Sequence, residues 1–140
     1  MNKKGFTLIE LLAVIVILAI ILLIAMPIVL NVINEARRGA FESTARGLFK
    51  AAETEFYRES LNNTPSVTTY SGPDYDTLEY SGQAPDNGVI YVASNGEIAM
   101  WLFDDTYCAI LELGEQDIAV TEQDTAGDCT DQYPGTFPTP

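Results

Sequence analysis

The chain has 140 residues, with seven Lys or Arg against twenty Asp or Glu, no His, and a formal net charge of −13. Without His no side chain has an ordinary pKa near neutrality, which excludes imidazole acid–base catalysis and simple His pH switches. So acidic a surface repels phosphates, which disfavours direct nucleic-acid binding by the globular part.

In chain order, Lys3 and Lys4 precede Gly5-Phe6-Thr7-Leu8-Ile9-Glu10-Leu11, and from Leu11 to Met26 no residue is polar. The uncharged stretch continues to Asn34, long enough for the roughly 20 residues that a membrane-spanning helix needs. Basic residues flank it on both sides (Lys3 and Lys4, then Arg37 and Arg38), so they do not set orientation by themselves. After Arg58 there is no Lys or Arg, whereas Glu59 to Asp131 carry fifteen carboxylates; that portion reads as an exported, well-solvated domain. A secretory signal peptide has a shorter apolar core ending at a small-x-small site, and this run reaches Ala25-Met26-Pro27 without one. A plain anchor accounts for the length but not for Glu10, since a carboxylate in a membrane helix is costly and marks function by default.

Lys4-Gly5-Phe6-Thr7-Leu8-Ile9-Glu10-Leu11 resembles the prepilin signal of type IV pilins and the related pseudopilins. The resemblance implies an α+β, type IV pilin-like fold: a long N-terminal helix packed on a small antiparallel sheet of three to four strands. It implies a leader, residues 1–5, removed by a membrane prepilin peptidase between Gly5 and Phe6, and methylation of the new Phe6 amine. The junction suits that cut. Gly5 has no Cβ, so its backbone can approach a protease closely. Cleavage discards Lys3 and Lys4 and leaves a cationic amine on Phe6, with Glu10 at the i+4 position and favourably placed against the helix dipole. The expectation is that Glu10 is neutralised in a fibre by the Phe6 amine of a neighbouring copy; an interfacial Glu merely tolerated near headgroups is the alternative.

Residues 6–33 form the expected transmembrane and assembly helix. Within it Pro27 removes a backbone hydrogen bond and predicts a kink or local unwinding. Residues 34–62 read as an amphipathic helix, with Val29, Val32, Ile33, Ala36, Ala40, Phe41, Ala45, Leu48, Phe49, Ala52 and Phe56 at three- and four-residue steps. Glu42 with Arg46, and Lys50 with Glu53, suit exposed pairs. The helix is expected to stop near Asn62-Asn63-Thr64-Pro65. From Phe6 to Leu61 one continuous helix would measure on the order of 80 Å.

Residues 63–87 read as a connecting loop, rich in turn signals, with a short strand around Leu78 to Tyr80. In residues 88–140, Val89–Val92 and Ile98–Phe103 flank Ser94-Asn95-Gly96-Glu97, a hairpin signal. Tyr107–Leu113 and Ile118–Val120 supply a third and fourth strand, whose apolar face would cover the stripe on the helix.

If the domain is exported, Cys108 and Cys129 pair; two reduced core thiols are the alternative. The resemblance points to the pair, since many pilins bracket a C-terminal loop with a disulfide. Asp117, Glu122, Asp124, Asp128 and Asp131 match no EF-hand spacing and read as a solvated acidic surface rather than a calcium site, so no metal and no cofactor is expected. No nucleophile motif, P-loop or Cys-x-x-Cys occurs, and an enzyme is not expected.

The reading is a structural subunit of a type IV pilus, polymerised through its N-terminal helix into a surface fibre for adhesion, motility or aggregation. The alternatives are a pseudopilin of a type II-like secretion or competence DNA-uptake system and, from another class, a membrane-tethered ligand-binding module. The implied partners are prepilin peptidase, further copies of the chain, an assembly platform with minor pilins, and membrane lipid, with no direct nucleic acid. The implied location is the cytoplasmic membrane, as a single-pass precursor with its C-terminal domain outside, followed by an extracellular pilus.

Overall fold

The structure is a computed structural model that describes residues 5–62 and 66–132. Most of the expected leader, the stop signal Asn63-Thr64-Pro65 and residues 133–140 lie outside the described residues. The chain divides into two compact units, Met1–Arg37 and Arg38–Pro140.

One helix, α1 (Leu8–Asn62), contributes to both units. In the first unit it is apolar all round, the pattern of a helix surrounded by lipid or by other helices rather than one lying on a soluble core. It is the one helix among the described residues long and apolar enough to cross a membrane. Its large side chains stay exposed, from Leu8 at 84% to Ile33 at 41%. The helix continues through Pro27 without a break, so the protomer shows no local unwinding there. A proline deletes a single i→i−4 bond, and apolar helix formers on both sides keep the remaining ladder.

In the second unit the apolar stripe of α1 buries Phe41, Ala45, Leu48, Ala51 and Ala52, with Thr44 as the one buried polar member. The Thr44 hydroxyl donates to the Ala40 carbonyl at 3.2 Å, which satisfies it within the helix. The three alanines keep the helix surface low, so the facing side chains of the sheet can reach it. Glu42–Arg46 and Lys50–Glu53 pair as expected, at 2.9 and 2.6 Å, and Arg58 adds a pair with Glu55 at 2.6 Å.

The sheet has five antiparallel strands in meander order: β1 (Thr68–Ser71), β2 (Asn87–Val92), β3 (Ile98–Asp104), β4 (Tyr107–Leu111) and β5 (Ala119–Glu122). Alternation sorts its side chains into two layers. Ile90, Val92, Ile98, Met100, Leu102, Tyr107, Ala109, Leu111 and Val120 join the α1 residues in the main core. Phe103 and Cys108 face the other way and pack with Cys129, flanked by Trp101, Ile110 and Ala126. Cys129 belongs to a short helix, α2 (Ala126–Gln132), which the sequence reading did not anticipate.

The sheet and the connecting region also depart from expectation. There are five strands rather than three to four. The strand expected around Leu78 to Tyr80 is absent; the connecting region instead holds β1 and a 3-10 helix, Gly72–Thr77. Leu78 is buried as a strand residue would be, but it follows directly on the 3-10 helix and its N–H bonds back to the Tyr75 carbonyl at 2.9 Å. The polar β1 forms because β2 offers a ladder edge, with Thr69 opposite Tyr91 and Tyr70 opposite Ile90.

Gly88 closes the β2–β3 ladder at φ +150°, where an added Cβ would lie 2.5 Å from the Trp101 carbonyl oxygen and 2.9 Å from Leu102 Cα. Both neighbours are backbone and cannot swing aside. Gly88→Ala is therefore expected to destabilise the domain by more than about 1 kcal/mol, read as a lower urea midpoint. Tyr75 is 1% exposed and its hydroxyl has no hydrogen-bond partner among the described residues. Burial pushes that hydroxyl from 10.0 up to about 12, opposed in smaller part by the nearby Gly72 backbone, which lies outside good hydrogen-bond geometry. The folded state holds this proton more tightly than the unfolded chain, so the associated stability is complete below about pH 10 and is lost as pH rises toward about 12. Tyr75→Phe should leave the midpoint at neutral pH unchanged or higher, because it removes an unpaired buried group, and should flatten the alkaline decline.

Candidate assembly site

The start of α1 brings together the residues singled out at the N-terminus. Gly5 is exposed with no atom within 4 Å of where a Cβ would stand, and Phe6 is 90% exposed. The bond between them is open to solvent on both sides. Lys3 and Lys4 lie outside the described residues.

Thr7 is the residue that the sequence reading missed. It caps α1: its carbonyl accepts the Leu11 N–H at 3.3 Å, and its Oγ1 accepts the Glu10 N–H at 3.3 Å. Glu10 answers in the opposite direction. Its Oε2 accepts both the Thr7 backbone N–H at 2.9 Å and the Thr7 hydroxyl at 2.8 Å. This is a capping box, in which the side chains of the cap and of the third helical residue satisfy each other's orphan amides. Its T-x-x-E signature was available in Thr7-Leu8-Ile9-Glu10.

The box explains how a carboxylate persists beside an apolar helix. Oε2 is held by two donors, and the helix N-terminus adds a favourable field. Oε1 has no partner among the described residues. The Glu10 side chain therefore has one oxygen engaged within its own chain and one available.

Further along the first unit, a recess of about 640 Å³ runs beside Pro27, lined by Ala19, Leu22, Leu23, Ala25, Met26, Val29 and Leu30. Its walls are apolar throughout. In the second unit Cys108 and Cys129 are joined, S–S 2.03 Å, across 21 residues of sequence. Among the described residues no group of three or more His, Cys, Asp or Glu is arranged to hold a metal ion.

A family model described as the prokaryotic N-terminal methylation motif matches residues 1–26. The chain is also 32% identical over 98 residues to the competence protein ComGC of Bacillus subtilis (strain 168), an alignment covering 70% of this chain and 96% of that protein. The chain belongs to the type IV pilin and pseudopilin family. No solved structure matches it. Membership agrees with the architecture: a long N-terminal helix, apolar at its start, followed by an antiparallel sheet. The apolar helix and the motif also fit a membrane-anchored precursor.

Loss of an N-cap hydroxyl costs helices about 1 kcal/mol. Thr7→Ala should accordingly fray the first turn, seen as faster amide exchange at Glu10 and Leu11 in detergent micelles, whereas Thr7→Ser should leave protection near that of the parent. Reducing Cys108–Cys129 should lower stability by about 3 kcal/mol on the loop-entropy account, measured as the shift in urea midpoint with and without reductant.

Proposed function

We propose that this chain is a pilin-like structural subunit of a competence apparatus for DNA uptake, rather than an enzyme. The observation that carries the reading is the similarity to a competence protein across nearly that protein's whole length. A surface fibre for adhesion, motility or aggregation would use the same polymerising step, but no observation specific to this chain favours it.

The sequence of events follows from the residues. A membrane prepilin peptidase cuts between Gly5 and Phe6, and the Phe6 amine is methylated. The subunit waits with its apolar helix in the cytoplasmic membrane and its acidic domain outside. An assembly platform with minor pilins then draws it into a fibre of further copies, where Glu10 Oε1 meets the Phe6 amine of a neighbour. The free Oε1 supports this pairing, because Thr7 already holds Oε2 and fixes the direction in which the carboxylate points. Fifteen carboxylates with no cation after Arg58 argue against DNA contact through this domain.

Three measurements test this. Mass spectrometry of the cell-extracted protein should give an N-terminus at Phe6 carrying one methyl; a chain still beginning at Met1 would end the reading. Deleting the gene should abolish transformation while leaving surface adhesion intact, and the opposite result would return the chain to the adhesive class. Deleting one partner of a buried ion pair costs about 3–5 kcal/mol. Glu10→Gln and Glu10→Ala should therefore each lower the assembled fraction by at least about tenfold, scored by sedimentation of sheared fibres.

A further inference from the structure

The face of the sheet turned away from α1 carries a row of apolar side chains that the described residues leave half-covered. Val89 on β2 stands opposite Trp101 on β3, Trp101 opposite Ile110 on β4, and Ile110 opposite Ala119 on β5. The alternation that sends Met100, Leu102, Ala109 and Leu111 into the main core sends this row to the other face. Val89, Trp101 and Ile110 are half-buried and Ala119 is exposed. The neighbouring row, Phe103 and Cys108, is buried with Cys129. The short helix α2 thus lies along one side of the open row without covering it fully.

That helix also delivers the rest of the chain to this place. The Oε1 of Gln132, its last residue, accepts the Thr121 hydroxyl at 3.2 Å, and Thr121 lies on β5 two residues beyond Ala119. The chain therefore leaves α2 on the outer face, beside the edge strand where the open row begins. Tyr133-Pro134-Gly135-Thr136-Phe137-Pro138-Thr139-Pro140 follow, with no charged side chain among them. In a chain of net charge −13, this is a segment that can lie on apolar surface without burying an ion.

Its composition suits the path. Pro134-Gly135 is a turn signal and fits a reversal from Thr121 back toward Ala119. From β5 to β3 is two strand spacings, about 10 Å, and residues 136–140 would span about 15 Å as extended, proline-rich chain. Pro138 and Pro140 have no N–H, which makes the segment unsuited to lengthening the sheet at its edge and suited to crossing its face.

We propose that residues 133–140 fold back over the outer face of the sheet and lay Phe137 against Trp101 and Ile110. Attachment through Gln132 gives this segment an effective concentration in the millimolar range, which favours the chain's own tail over a second copy as the occupant. The tail then closes the smaller core on its open side, as α1 closes the main one.

Trp101 is the single Trp of the chain, so its fluorescence reports on this row alone. In the full-length chain in detergent micelles, Phe137→Ala should raise the acrylamide quenching constant of Trp101 by at least about twofold, whereas Phe137→Leu keeps an apolar body and should stay within about 1.5-fold of the parent. Ending the chain after Gln132 should raise quenching at least as far as Phe137→Ala, with the far-UV circular dichroism of the parent. A second measurement needs no variant: the parent should show nuclear Overhauser contacts between the Phe137 ring and the Trp101 indole within one labelled copy. Quenching unchanged in the shortened chain, or a parent without those contacts, would overturn the proposal. Contacts that form only between differently labelled copies would also overturn it and give the row to a second copy.

Discussion

One stretch of helix is left uncovered by the described residues, and the rest of the molecule's behaviour depends on it. The large side chains from Leu8 to Ile33 are exposed, and each would gain about 1.5–3 kcal/mol on full burial. Summed over the stretch, that exceeds the entire folding free energy of an ordinary domain. Such a surface has two environments that suit it, lipid and other copies of itself. A subunit that passes from one to the other exchanges apolar surroundings of similar quality, so the transfer is governed less by hydrophobicity than by the few groups that differ between them.

Those groups are the charges at the tip. In lipid, the Glu10 carboxylate has to be satisfied from within, and the Thr7 amide and hydroxyl do this while also closing the first turn. In a fibre, a neighbour's amine would offer a stronger partner, because an ionised donor roughly doubles the strength of a hydrogen bond. On the proposed pairing, the capping box would separate two jobs within one carboxylate: one oxygen closes the helix end, and the other is left for a neighbour's amine.

Much of this was legible in the residues, for identifiable reasons. The helix could be read because its two halves obey different rules, continuous apolarity before Pro27 and three-to-four spacing after it. The β2–β3 hairpin could be read from Asn95-Gly96, where Gly96 takes φ +90°. What escaped was held by partners rather than by local pattern. Thr68–Ser71 is polar and becomes a strand through its pairing with β2. Ala126–Gln132 has Gly127, Asp128 and Asp131, poor helix formers, and is anchored by the Cys129 disulfide and the Thr125 cap on Asp128. Thr7 was overlooked because Glu10 drew attention as a charge to be neutralised by another chain, whereas its nearest partners are in its own.

The division of labour between the units has a consequence for stability. Because the first unit's large side chains stay exposed, they contribute little to the core that holds the sheet together. The second unit must therefore be stable on a core built from one helix face and five short strands. That scale is where small domains become marginal, and it gives physical sense to the disulfide on the face of the sheet turned away from α1. The main core is closed by α1 on one side only. On the other side Phe103, Cys108 and Cys129 form a second, smaller cluster, and the covalent bond keeps α2 over it where seven residues of weak helix could not stay by packing alone. A domain stapled in this way would keep its shape if, as proposed, its helix passes from lipid into an assembly of copies.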